Sequence, residues 1–430
     1  MENMSVVKLL LKLSPPVMLA LLIQSIYNIV DSFFISRYSA AGLTALSIIF
    51  PIQLLMTALA TGTGTGINIL VSRMDGTGET KSQTDIVKSG LFSGFFNYVI
   101  FACAGLLLIR SYFSISSDQI PVREQGIQYA QIIFAGSLGL FIESNCTKIL
   151  QAKGNMFTPM IAQVTGAIIN VILDPILIFG MFGMPEAGVA GAALATIAGQ
   201  LAAMLITLTA VFRIYRFQGK MWLQNCIRIY RAGIPSIVMQ SLYTLYIIGL
   251  NLILKQFTED AVTVLGIYYK LQTFFFIPLM GLQQVILPVI SFQYGAGKSG
   301  RVKDTLKYSV LFSCGIMLLA TAVFLAIPEQ LLSIFSDSAS IMEIGRHALR
   351  IISGSFIPAG FVMMFTVYFQ GIDRGRASIF ITVLRQIILL VPLAWIFHYA
   401  GLHFVWLTFM VTEIISAFVC LILYRRPAAR

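Results

Sequence analysis

Asp31 stands in the stretch IYNIVDSFFI (residues 26 to 35) and Asp174 in INVILDPILIFG, each a carboxylate inside a run otherwise apolar enough for a membrane interior. A charged side chain near a bilayer centre costs about 2.5 to 3.5 kcal/mol even on the lenient insertion scale, so each acid needs a compensating interaction. Gln24, Tyr27 and Asp31 are spaced i, i+3, i+7 and share one helix face; Asn170 and Asp174 are spaced i, i+4 and share another. At about 1.5 Å per residue from the inner helix ends, both acids lie about 25 Å up, and Thr196, on a descending helix, starts about 12 Å below the outer end. All three can meet in the outer half of one helical bundle. Two carboxylates, an amide carbonyl and a hydroxyl are hard oxygen donors suited to a hard cation. Two nearby carboxylates in a dry site can equally hold a proton. The plainer alternative is a pair of acids hydrogen-bonded to neighbouring helices, but matched depth and polar companions favour an ion site.

The elements that must position these residues follow from composition. The 430 residues are 57% hydrophobic and 11% charged, with a mean hydropathy of +0.86, which describes a polytopic membrane protein. A hydrocarbon core of about 30 Å takes about 20 helical residues to cross. Twelve such runs are expected: 14 to 37, 45 to 72, 87 to 109, 124 to 147, 157 to 182, 188 to 212, 232 to 254, 262 to 292, 305 to 327, 343 to 369, 377 to 399 and 401 to 424. The ten-residue alternation of barrel strands is absent, so the fold class is all-α. The first run carries Pro15, Pro16 and Asp31 and reads as a retained helix, not a cleaved signal.

The net charge of +11 does not point to nucleic acid, because of where the charge falls. With both termini cytoplasmic, 22 of the 29 Lys and Arg lie on the inner side, counting Arg374, Arg376 and Arg385 among them. That bias expects a multi-pass protein of the cell's inner membrane with both termini in the cytoplasm. The five cysteines lack metal spacing and the three histidines lie far apart, so neither type suggests a metal site.

The halves of the chain resemble each other. IQSIY (23 to 27) matches MQSLY (239 to 243), Gly76 and Gly78 match Gly295 and Gly297, the Gly-Ser pair at 136 recurs at 354, Gln151 matches Gln370, and Asp174 faces Val391. The offset stays between 216 and 220 residues, which marks a six-plus-six duplication. Six is even, so the copies are parallel repeats, two six-helix bundles related by a pseudo-two-fold axis along the membrane normal. The expected division is an ion-coupling N-lobe at 1–212, a basic cytoplasmic linker at 213–231 and a C-lobe at 232–430. Asp31 faces Ile247 or a nearby apolar residue, so the second copy builds the same elements without either acid.

Three other intramembrane charges are more isolated. Glu143 could pair with Lys148, reach headgroups or line a cavity, Lys270 could line a cavity or snorkel, and Glu413 has Thr412 beside it. The TGTGTG stretch (61 to 66) lacks the Lys-Ser/Thr ending of a phosphate loop, and its small residues suit close helix packing.

YNIVDSFFISRYSAAGLTALS, INVILDPILIFG followed by GVAGAALATIAGQ, and PVISFQYGAGK resemble the multidrug and toxic compound extrusion (MATE) family over essentially the whole chain. The resemblance implies a non-enzymatic antiporter that expels cationic or amphipathic drugs by alternating access, driven by Na+ or H+. It implies ion coupling at Asp31, Asn170, Asp174 and Thr196, a pocket lined by Gln24 and Tyr27, and a helix bend at Pro16. It further implies a DinF-like or MepA-like branch, since the helices at 232 to 254 and 343 to 369 hold no comparable acid pair. The expected partners are small-molecule drugs and the bilayer, with a monomeric protein and no cofactor beyond the coupling ion. A lipid or lipid-linked saccharide flippase of the same superfamily would want several cavity cations, where this chain offers mainly Lys270. An intramembrane aspartyl protease would want YD and GxGD motifs, and the acids here sit in VDS and LDP.

Overall fold

Backbone N–H and C=O groups find no water in a hydrocarbon core, so apolar runs of this length must pair them internally as helices. The computed structural model describes residues 4–215 and 220–425, and among these there is no strand. Arg216, Arg426, Arg430, part of the expected 213–231 linker and the side chain of Lys81 lie outside the described residues.

The first half comprises α1 (Val6–Tyr38), α2 (Ala40–Thr77), α3 (Thr80–Ser116), α4 (Ile120–Gly136), α5 (Leu138–Ala152), α6 (Phe157–Phe179) and α7 (Gly188–Tyr215). The second comprises α8 (Leu223–Leu254), α9 (Glu259–Gly295), α10 (Ser299–Ala326), a short α11 (Pro328–Ser333), α12 (Ala339–Ser353), α13 (Phe356–Gly371), α14 (Gly375–Val383), α15 (Leu390–His398) and α16 (Leu402–Arg425). A π-helical stretch, Leu384–Leu389, joins α14 to α15 within one span. Side chains such as Leu107 (79% exposed) and Leu319 (70%) stand outward along these helices, as lipid-facing residues do.

Ten of the described helical runs are long and apolar enough to cross a membrane unbroken, and α12 with α13 makes an eleventh bent by 48°. The expected fourth span, 124 to 147, is divided between α4 and α5. Both interruptions fall on the repeated Gly-Ser pair. Ser137 Oγ donates to the Phe134 carbonyl at 2.9 Å, and Ser355 Oγ donates to the Ile352 carbonyl at 2.7 Å. Each buried hydroxyl thus takes a carbonyl three residues back and competes with the regular helical bond at that turn. The duplication extends to helix ends: Glu79 N–H donates to Met74 O at 3.0 Å after α2, and Lys298 N–H to Gln293 O at 2.9 Å after α9. Gly78 and Gly297 hold the left-handed backbone (φ 80° and 69°) that these two turns need.

By contacts, one compact unit is Pro15–Ile237 and the other is Met1–Ser14 with Val238–Arg430. We call them the N-lobe and C-lobe. Their boundaries fall inside α1 and α8, whereas a division at 213–231 follows the connecting loop. In α1 the boundary coincides with Pro15 and Pro16, through which the helix continues; in α8 it lies two residues past Pro235. Each proline removes one backbone hydrogen bond, so the covalent hand-over between units occurs where the helix is least reinforced.

Within the N-lobe the TGTGTG stretch lies in α2 against the first part of α8. A methyl at Gly66 would collide with the Ile229 carbonyl, and one at Gly233 with the Gly62 carbonyl. The small residues set a backbone-to-backbone approach, as their spacing suggests.

Candidate functional site

The N-lobe site is built where α6 crosses α7. Gly166 and Gly199 meet there: a methyl at Gly166 would stand 2.8 Å from the Gly199 carbonyl oxygen, and one at Gly199 would stand 2.5 Å from that of Gly166. Asn170 lies one turn beyond Gly166, and Thr196 one turn before Gly199 on the descending helix. The close crossing therefore puts these two side chains opposite each other. The Asn170 Nδ2 amide is 3.4 Å from Thr196 Oγ1 and 3.4 Å from Asp174 Oδ1.

Asp174 is fully buried (0% exposed) and Asn170 is buried; Asp31, from α1, is partly buried. The carboxyl groups of Asp31 and Asp174 lie close enough to share a proton. Asp31 Oδ1, Asp174 Oδ2 and Asn170 Oδ1 are all buried without a hydrogen-bond partner. Three unpaired acceptor oxygens around two carboxylates is an arrangement that a positive species completes, since an unpaired buried acceptor keeps its full desolvation penalty. The donor set fits a hard cation, with Thr196 Oγ1 as a further oxygen, and fits a shared proton equally.

Beside this group is a cavity of about 70 Å³, lined by Gln24, Tyr27, Glu143, Gln163, Asn170 and Thr196 among others. Asp31 and Asp174 are not among the lining residues. Asn170 belongs to both, bonded to Asp174 and facing the cavity. Glu143, on α5, is buried in the cavity wall and accepts from Thr147 Oγ1 at 2.7 Å and Gln163 Nε2 at 3.3 Å. Lys148 is buried too and donates from Nζ to Gln151 Oε1 at 3.0 Å.

Two participants escape sequence reasoning. The Tyr129 hydroxyl, on α4, lies within electrostatic reach of Asp31, Tyr27 and Asp174, and accepts from Gln53 Nε2 at 3.3 Å. Neither neighbours an acid in sequence; the only available signal was a polar side chain inside an apolar run.

In the C-lobe, Val391, which the repeat pairs with Asp174, instead meets the α8 backbone: a methyl at Gly249 would stand 3.1 Å from both its branches. Apolar contact replaces the acid pair at this level. Lys270 is exposed, with its ammonium 5.5 Å over the Phe335 ring. Arg385 needs a correction. Counted with the inner loop charges, it lies ten residues into a helical span that begins at Gly375, or about 15 Å along it. Its Nε donates to Glu413 Oε1 at 2.5 Å, so Glu413 has a partly buried cation as its partner.

The MatE family model matches residues 16–176 and again 235–396, two copies that start 219 residues apart, in agreement with the internal repeat. The FAD transporter of Shewanella oneidensis is 25% identical over 437 residues, with 97% of this chain and 94% of that protein covered. The multidrug export protein MepA of Staphylococcus aureus is 27% identical over 414 residues, covering 92% and 88%. The outward-facing conformation of a multidrug resistance MATE family transporter of the MOP superfamily superposes with a TM-score of 0.89 at 25% identity, covering 97% of this chain and 95% of that one. Two family matches that together take in most of the chain, on an all-helical membrane fold shared with solved MATE transporters, place this protein in the MatE family of multi-pass membrane transporters.

Proposed function

We propose that this protein is a cation-coupled antiporter that exports organic cations and amphipathic drugs, with Na+ or H+ moving inward through Asp31, Asn170, Asp174 and Thr196. The observation that carries the reading is the set of three unpaired buried oxygens on Asp31, Asp174 and Asn170. The relative named a multidrug export protein supports the direction and the substrate class. The basic bias, still 21 of 29 with Arg385 set aside, supports a cytoplasmic-membrane protein with both termini inside.

The chemistry is one of linked binding. A cation at the Asp31–Asp174 pair neutralises two buried charges and completes the unpaired oxygens, so it favours whichever conformation holds those oxygens together. Drug bound to the protein favours a different one. Exchange follows when the two ligands prefer opposite states, and each then weakens the other by the same factor. The 70 Å³ cavity beside the acids takes waters or an ion with part of its shell. Drug-sized ligands need about 300 to 1,000 Å³, so the drug requires other space or another conformation.

The test is efflux of a fluorescent organic cation from proteoliposomes under Na+ and H+ gradients imposed separately. Asp31→Asn should remove gradient-driven efflux while the protein elutes and melts as a folded species; full residual efflux in that variant overturns the assignment. A second reading has one observation in its favour, the whole-length similarity to a protein named an FAD transporter. It makes the cargo an anionic flavin nucleotide, and uptake of FAD into the same vesicles, without efflux of the cation, would select it.

A further inference from the structure

We propose that the C-lobe carries an organic-cation site in which Glu413 is the counter-ion, four tyrosines form the wall, and Arg385 is a resident cation that the ligand displaces. The proposal rests on the organic-cation reading above and adds the place where such a cation binds.

The site lies wholly within the C-lobe. Tyr243 and Tyr246 on α8 stand edge to face at 5.3 Å between ring centroids, and each lies 6.2 Å from Tyr269 on α9. Tyr268 adjoins Tyr269 at 5.3 Å and packs at 5.6 Å on Phe409, one turn before Glu413. Tyr246 and Tyr268 are both within electrostatic reach of Arg385. Ring faces of this kind attract cations, the more so where water is excluded.

The ion pair at the centre is incomplete. Glu413 is 7% exposed, and Arg385 satisfies only its Oε1, leaving Oε2 buried without a partner. Gln386 Oε1, next to Arg385 in sequence, is likewise buried and unpaired, as are the hydroxyls of Thr408, Thr412 and Ser416. A purely structural pair gains by using both carboxylate oxygens, because the remaining lone pairs otherwise keep their desolvation cost. Two unpaired acceptors beside a ring wall suit a flat cation that carries N–H donors, such as an aryl or alkyl ammonium. An anion would leave both acceptors unpaired.

Arg385 is placed to yield. It sits in the π-helical stretch Leu384–Leu389, where the regular helical bonding is interrupted and side chains can re-aim. Its side chain retains 22% exposure, against 10% for that of Glu413. When displaced, the guanidinium keeps its charge and stays beside the tyrosine rings. The repeat adds a parallel: Glu413 stands 217 positions after Thr196, the same offset that joins Asp174 to Val391. The second copy therefore places its acid at the level of the first copy's ion site, on a different helix and already paired with a cation.

Equilibrium binding to the purified full chain, without any gradient, tests this with two probes. Ethidium is a flat cation with N–H donors; tetraphenylphosphonium is a cation with none. Glu413→Gln should weaken ethidium by about tenfold or more, the worth of one charge-assisted contact, and weaken tetraphenylphosphonium less. Arg385→Gln should strengthen ethidium, because the resident competitor is gone. A structural ion pair gives the opposite result, with both single variants weakening binding together. Should a single variant fail to fold, the Arg385→Gln/Glu413→Gln double variant leaves no unpaired charge and should bind ethidium like Glu413→Gln. Ethidium binding in the double variant equal to the unaltered protein, or no ethidium binding to the unaltered protein, overturns the proposal. Loss of the Asp31-dependent gradient response, measured separately in vesicles, bears on the antiport reading and not on this site.

Discussion

Gly166 and Gly199 are in backbone contact where α6 crosses α7, and this contact sets how closely Asn170 and Thr196, one turn away on each helix, approach. Gly199→Val should therefore act twice. Overpacking of this kind costs about 1 to 3 kcal/mol, and the separation should break the long Asn170–Thr196 contact. The expected outcome is a lower melting temperature in detergent together with weakened ion coupling in vesicles. Gly315 in α10, which has no neighbour within 4 Å of its added methyl and an ordinary helical backbone, is the comparison site; Gly315→Val should leave coupling intact.

Thr196 contributes a hydroxyl and is only partly buried. Thr196→Ser keeps the oxygen and should retain coupling, whereas Thr196→Val keeps the shape and removes it. If the hydroxyl is a cation ligand, the valine variant needs several-fold more Na+ for the same efflux and the serine variant does not. Equal Na+ dependence in both variants would remove Thr196 from the ion site.

Lys153 closes a cluster at the end of α5. Its Nζ reaches Asp75 Oδ1 at 2.5 Å and Gln83 Oε1 at 2.7 Å, and lies 5.6 Å from the centre of the Tyr215 ring. The partners come from α2, α3 and α7, so a single side chain holds three helix ends. Hydrogen bonds to a charged group contribute about 1.5 to 3 kcal/mol when protected from solvent; with 24% of this side chain exposed, the lower end applies. Lys153→Met should lower the melting temperature by a few degrees, and Lys153→Arg should recover most of the loss.

The uneven legibility of the chain has physical causes. Spans were readable because apolar length alone forces helix formation in a bilayer. The Asp31, Asn170, Asp174 and Thr196 group was readable because its members interrupt apolar runs at helical spacing. Arg385 was not: it falls inside the expected 377 to 399 span but, close after Arg374 and Arg376, was counted with the loop charges, and the acid that holds it lies on another helix. Glu413 looked isolated for the same reason, since its partner is on another helix, 28 residues away. A cavity position for Glu143 was among the readings its sequence context allows, and it stands in the cavity wall; its partner Gln163, 20 residues away on the next helix, was not readable.

Proton and Na+ compete for the same oxygens if the Asp31–Asp174 pair is the coupling site. A shared proton would bridge the two carboxyls, and a bound Na+ would take the oxygens now unpaired; neither can do so with the other in place. Linkage then fixes a sign. Lowering the pH should raise the Na+ concentration needed for half-maximal drug release, and raising Na+ should shift the pH profile of proton-driven efflux towards acid. Measuring release of a fluorescent cation over a grid of pH and Na+ checks both directions at once. Asp174→Asn should weaken both ions' effects, because the single remaining carboxylate holds neither the bridging proton nor the full set of oxygens. Independent pH and Na+ effects in the unaltered protein would mean that the two ions use different sites, and would exclude the Asp31–Asp174 pair as the common one.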